Sequence, residues 1–168
     1  MTNLEAKFRL PDLERAEAAA EAIGYARRAT LTQSDTFFRV AHGKLKLREE
    51  NGDARLIFYG RTQSGPLMLS NYEIESVANG SRMRRMLSEA LGTLAVVEKV
   101  RVLMTRDNLR LHLDRVTALG NYGEIEAVVA KGDDPERSRA AVDELLAALG
   151  IAQSELIDVS YFEMLARA

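Results

Sequence analysis

Five short stretches of the chain place an ionisable or polar residue at every second position, with apolar residues between them. They are Asn3-Leu4-Glu5-Ala6-Lys7, Lys44-Leu45-Lys46-Leu47-Arg48, Lys99-Val100-Arg101, Arg110-Leu111-His112-Leu113-Asp114 and Glu124-Ile125-Glu126. Two is the period of a β-strand, so each stretch lines one sheet face with ionisable groups and the other with aliphatics. The strands are also sorted by sign. Some present cations and others carboxylates. A solvated face is the ordinary explanation of a single alternating strand. Five such strands in one small domain, segregated by sign, instead suit a site that binds a polyanion through cations and a metal through carboxylates.

Composition narrows the classes. At 168 residues the chain matches one ordinary domain with a real core. Its net charge of -2 argues against a generic nucleic-acid binder, so an anion site must come from local clustering. The absence of cysteine removes disulfides, thiolate metal sites and cysteine nucleophiles. The opening Met1-Thr2-Asn3-Leu4-Glu5 has no basic flank followed by an apolar run, so no signal peptide is expected. No apolar run approaches the ~20 residues of a membrane span. A cytoplasmic protein without membrane or nucleic-acid partners is expected.

Turn and cap signals divide the chain. Residues 3–10 read as a strand, and Pro11-Asp12 caps a helix over 13–23 that ends at Gly24. Strand-like runs fill 26–61, with turns at Gly43 and at Asn51-Gly52-Asp53, a strong hairpin signal. Gln63-Ser64-Gly65-Pro66 reads as a loop, and a strand follows over 67–77. Ser81 is the expected cap of a second helix ending at Gly92. Strands follow near 93–106, 108–116 and 121–131. Asp134-Pro135 opens a helix ending at Gly150, and Ser154 is the expected cap of a last one towards Arg167. Met83, Met86 and Met164 fall on helices and are expected in the core. No linker or low-complexity segment appears, so residues 1–168 read as one domain.

Amphipathic helices need an apolar partner, and the aliphatic side of the charged strands offers one. The charged faces then look at one another or at solvent. The expected fold is therefore α+β: a closed antiparallel β-barrel of about eight strands with helices packed outside and a charged lumen. Burying those charges is tolerable only if opposite signs pair or a ligand completes them. Glu5, Asp114, Glu124 and Glu126 are hard oxygen donors suited to Mg²⁺ or Mn²⁺ shared with phosphates. Lys7, Lys44, Lys46, Arg48, Lys99, Arg101 and Arg110 are too many cations for one carboxylate ligand and suit a triphosphate or polyphosphate. His112, between Arg110 and Asp114, is a candidate proton carrier, beside the commoner structural role of such a residue. His42 is expected to be exposed. There is no P-loop and no nucleophile elbow.

Read together, these segments resemble the CYTH superfamily, the triphosphate tunnel metalloenzymes. Asn3-Leu4-Glu5-Ala6-Lys7 is similar to the N-terminal Glu-x-Glu-x-Lys signature. Gln33-Ser34-Asp35-Thr36-Phe37-Phe38 is similar to the Gln-x-Asp-x-Tyr/Phe-Phe strand, and Gly43-Lys44-Leu45-Lys46-Leu47-Arg48-Glu49 to the Gly-Arg-Leu-Lys-Leu-Arg-Glu strand. Glu98-Lys99-Val100-Arg101 matches the Lys-x-Arg strand. His112 to Val116, Leu119-Gly120 and Glu124-Ile125-Glu126 match the closing hairpin. The Asp114-Arg115-Val116-x-x-Leu119-Gly120 spacing and Ser160-Tyr161 resemble the class IV adenylate cyclase branch.

The resemblance implies an eight-stranded tunnel. Metal would sit on Glu5, Glu124 and Glu126 with Asp114 near it, and triphosphate along Lys7, Lys46, Arg48, Lys99 and Arg101. Lys7, Arg48 and Asp114 are the catalytic candidates. A cyclase would direct the ribose 3′-oxygen of ATP at the α-phosphate, releasing pyrophosphate. A triphosphatase of inorganic, thiamine or nucleoside triphosphate would activate water, and a binding protein would do neither. Asn3 stands where the signature has its first glutamate, and Leu67, Met68 and Leu69 occupy the stretch where the cyclase branch carries a lysine. A homodimer is left open.

Overall fold

The computed structural model describes residues 2–64, 67–129 and 135–166, with side chains described over 5–59, 73–127 and 136–166. Eight strands are formed: β1 (Thr2–Arg9), β2 (Ala26–Phe38), β3 (Lys44–Glu50), β4 (Asp53–Ser64), β5 (Leu67–Ser76), β6 (Thr93–Arg106), β7 (Leu109–Val116) and β8 (Gly120–Val129). The helices are α1 (Leu13–Ala22), α2 (Gly80–Leu91), α3 (Pro135–Leu149) and α4 (Tyr161–Ala166). The fold is α+β on an eight-stranded antiparallel sheet, in the order β1-β8-β7-β6-β2-β3-β4-β5. The expected α+β class with about eight antiparallel strands is formed, and among the described residues hydrogen bonds do not join its first and last strands. Among the described residues β1 and β5 are the ends of the ladder, because β1 pairs only with β8 and β5 only with β4.

The chain divides into two compact units built from discontinuous segments. The first comprises residues 1–31 and 100–159, the second 32–99 and 160–168. In the first, the aliphatic side of β1, β7 and β8 meets α1 and α3. Its core joins Phe8, Leu109, Leu111, Leu113 and Ile125 to Ala16, Ala20, Leu145 and Leu146. Gly123 stands opposite Phe8, and a Cβ there would lie 2.2 Å from the Phe8 ring, so the register requires glycine. In the second, Phe38, Leu47 and Ala54 form a smaller core against Met83 and Leu87 of α2. The β3–β4 hairpin turns at Asn51 (φ 49°) and Gly52 (φ 96°), as the sequence signal requires.

Three expected boundaries move. Asn79, not Ser81, caps α2: its Oδ1 accepts from the Arg82 backbone N–H at 2.9 Å, which leaves Ser81 inside the helix. Ser154 lies in a 3₁₀ turn (Gln153–Glu155), and the last helix starts later, after Ser160. Gln63 and Ser64 continue β4 in register with Met68 and Leu67 instead of forming a loop. Gly65, Pro66 and Asp134 lie outside the described residues. Met86 is 53% exposed and so is not core, whereas Met83 and Leu87 of the same helix pack on Phe38, Leu47 and Ala54. α4 also departs from expectation. It lies on a charged strand face instead of an aliphatic one.

Candidate functional site

The segregation by sign read in the sequence maps onto the two units. The first unit is rich in carboxylates. Its β1, β8 and β7 align Lys7 with Glu124 and His112, and Glu5 with Glu126 and Arg110. Arg101 reaches this face from β6. Its Nε and Nη2 donate to Asp114 Oδ1 and Oδ2, each at 2.6 Å, and Nη2 also donates to Glu124 Oε2 at 2.8 Å. Lys7 Nζ lies 3.7 Å from Glu124 Oε1 and donates to the Val159 carbonyl at 3.5 Å. His112 Nδ1 lies 3.7 Å from Glu124 Oε2, beyond hydrogen-bond reach, and is buried. Glu124 is therefore the hub: a lysine, an arginine and an imidazole converge on it. Arg110 and Glu126 pair at 3.3 Å farther into solvent.

Charge and burial tune this face. Asp114 is fully buried and Arg101 is 6% exposed, so the bidentate geometry is what makes burying two charges tolerable. Burial lowers the His112 pKa, and the Arg101 charge adds to this against the opposing pull of Glu124 and Asp114, so the ring favours its neutral form. Glu5 keeps contact with solvent, yet the desolvation it suffers raises its pKa. The charges of Glu124 and Glu126 raise it further, and Lys7 opposes them. Glu5, Glu124 and Glu126 thus crowd like charge together, the donor chemistry that a hard divalent cation relieves. Among the described residues no three such side chains are gathered as a metal-holding group as they stand. Asp114 is committed to Arg101 through both oxygens.

The second unit is rich in cations. β2 and β3 place Asp35 opposite Arg48 and Phe37 opposite Lys46. Arg48 donates to both Asp35 oxygens at 2.7 Å, and Lys46 donates to Oδ2 at 2.9 Å. Burial by itself would raise the Asp35 carboxyl. The Arg48 hydrogen bonds, with the charges of Lys46, Arg48 and Lys99, outweigh it and hold the group well below the usual carboxylate range. Three cations thus act on one buried carboxylate. Lys46 and Lys99 are each 7% exposed. Lys46 Nζ sits over the Phe37 and Tyr59 rings at 5.5 and 5.4 Å, and Lys44 pairs with Glu163 at 3.7 Å.

Of the residues expected from sequence, the first unit brings together Lys7, Arg101, Asp114, Glu124 and His112, with Glu5, Glu126 and Arg110 beside them. The second holds Lys44, Lys46, Arg48 and Lys99. Asn3 and Leu67, Met68 and Leu69 lie outside the described side chains. His42 is exposed, as expected. Asp35, Tyr59 and Tyr161 join this set in the structure, although alternation alone assigns them no role. The signal for Asp35 was present: it shares strand parity with Gln33 and Phe37, one turn before a Lys-x-Lys-x-Arg strand.

The family model described as CYTH domain matches residues 1–161. A Methanocaldococcus jannaschii protein named "Putative adenylate cyclase" is 22% identical over 98% of each chain. Among solved structures, a Pyrococcus horikoshii protein superposes with TM-score 0.80 at 19% identity, covering 96% of this chain and 98% of its own. A Vibrio parahaemolyticus protein described as a putative adenylate cyclase superposes with TM-score 0.73 at 18% identity, covering 98% and 97%. A Hippeastrum protein, described as a putative adenylyl cyclase with a dominant triphosphatase activity, has TM-score 0.65 at 22% identity, covering 99% and 95%. At these identities the structural likeness establishes the fold alone. No helix among the described residues is long and apolar enough to cross a membrane.

Proposed function

The chain belongs to the CYTH domain family, and from that premise we propose that it converts an organic triphosphate with the help of Mg²⁺ or Mn²⁺, the first candidate reaction being ATP to cyclic AMP and pyrophosphate. The observation that carries this reading is the second unit's cation face, where Lys46, Arg48 and Lys99 act together on the buried carboxylate of Asp35. Such a face is poised for a ligand of several negative charges. Arg48 presents a fork that Asp35 keeps oriented, and Lys46 presents a point charge held between a carboxylate and two rings.

In the first unit, Asp114 acts through Arg101. It fixes the guanidinium and leaves phosphate contact to that group and to Lys7. Glu5, Glu124 and Glu126 are the residues that would hold a divalent cation, which supplies charge neutralisation at the phosphates. This reading narrows the metal set by removing Asp114. His112, favouring its neutral form beside Glu124, is suited to hold or accept a proton near that carboxylate.

A second reading, triphosphate hydrolysis, is favoured by the dominant triphosphatase activity described for the Hippeastrum structural neighbour. Both reactions ask the same residues to bind the phosphates and differ in the nucleophile. Product analysis after incubation with ATP and Mn²⁺ separates them. Cyclic AMP with pyrophosphate supports cyclisation. ADP or AMP with phosphate supports hydrolysis. Bound but unchanged ATP leaves a binding protein.

A further inference from the structure

α4 has six residues, too few to persist as an isolated helix. A reciprocal cap holds its start. Glu163 Oε2 accepts from the Ser160 backbone N–H at 3.0 Å and from Ser160 Oγ at 2.7 Å, and Ser160 Oγ accepts from the Glu163 N–H at 3.3 Å. That cap aims the two intervening side chains at the cation face of the second unit. Tyr161, 6% exposed, lays its ring 5.0 Å from Lys99 Nζ. Phe162 packs on Phe37 with ring centroids 4.6 Å apart. The Phe37 ring in turn lies under Lys46 Nζ. One turn of helix therefore engages the surroundings of two buried ammonium groups.

Resting on the triphosphate reading above, we propose that Tyr161 is a positioning residue for Lys99, and that α4 is the device that keeps this lysine aimed before ligand arrives. A lysine stem has four rotatable carbons and loses much freedom when fixed. A ring face attracts the ammonium without cancelling its charge. The neighbouring Lys46 ammonium also lies over a ring, that of Phe37, and donates to the Asp35 carboxylate. Tyr161 touches neither metal nor phosphate in this assignment. It acts through Lys99.

The test is calorimetric titration of inorganic triphosphate into the wild type, Tyr161→Phe, Tyr161→Leu and Tyr161→Met, each also in a Lys99→Met background. Tyr161→Phe keeps the ring and should bind within about twofold of wild type, whereas the Leu and Met variants should bind about tenfold more weakly. In the Lys99→Met background the Tyr161 substitutions should have no further effect. Equal affinity of all Tyr161 variants, or an unchanged tenfold loss in the Lys99→Met background, overturns the inference. If the wild type itself does not bind triphosphate, the functional reading fails instead. The positioning claim is then read from the acylation rate of the Lys99 amine, followed by peptide mass spectrometry. Faster acylation in Tyr161→Leu and Tyr161→Met than in Tyr161→Phe upholds it, and equal rates overturn it.

Discussion

Arg101 grips Asp114 with two hydrogen bonds of 2.6 Å, and the same guanidinium reaches Glu124 at 2.8 Å. One buried arginine thus orients the acidic face of the first unit. Removing one partner of such a pair strands a charge away from water. Asp114→Asn should cost about 3–5 kcal/mol of stability. Urea denaturation of the two proteins at neutral pH checks this, and a change below about 1 kcal/mol would show that the pair is not holding the face together.

Asp35 links stability to acid. Its folded pKa lies below the reference value of 3.8, so the unfolded chain binds the proton more readily. The stabilisation is therefore complete above that reference value and is lost as the pH falls below it towards the folded value. Asp35→Asn should destabilise the protein at neutral pH, by stranding Lys46 and Arg48, and should flatten the acid limb below pH about 4. Melting temperatures measured between neutral and strongly acid pH decide it. Parallel curves for the two proteins would contradict the assignment.

His112 has the opposite chemistry but the same direction. Its folded pKa is depressed below 6.5, so the unfolded chain takes up a proton that the buried ring resists. Stability should decline as the pH falls below about 6.5, and His112→Gln should lessen that decline. Chemical denaturation at two or three pH values spanning that point is sufficient to see it.

Burial, reinforced by the charges of Glu124 and Glu126, raises the Glu5 pKa above 4.5, so its ionised form costs the protein stability at neutral pH when no metal is bound. Glu5→Gln should therefore raise the melting temperature without metal and reduce the rise produced by Mn²⁺. Identical metal titrations of the two proteins would remove Glu5 from the metal set.

Much of this was legible in the chain because strand parity is a local property. The alternation at 44–48 and 124–126 fixed which residues share a face, and Asn51-Gly52 fixed the β3–β4 register. What escaped depends on partners far apart in sequence. Asp35 shows its importance only once Lys46 and Arg48 fold against it, and Tyr161 only once α4 lies on the cation face. The two displaced helix starts have a simpler cause. Asn79 and Ser160 each compete with a nearby serine of similar capping power, and backbone geometry decides between them. Whether hydrogen bonds join the first and last strands is not written in the alternation, which is the same in either case.

If Glu124, where Lys7, Arg101 and His112 meet, serves the turnover of an organic triphosphate, removing its charge should suppress that turnover. Chromatography of the products formed from ATP with Mn²⁺, for the wild type and Glu124→Gln side by side, decides this. The wild type should cleave a phosphoanhydride bond, with release of pyrophosphate or phosphate, and Glu124→Gln should lose about a hundredfold or more of that rate. ATP left intact by the wild type, or the same products at the same rate from both proteins, would contradict it.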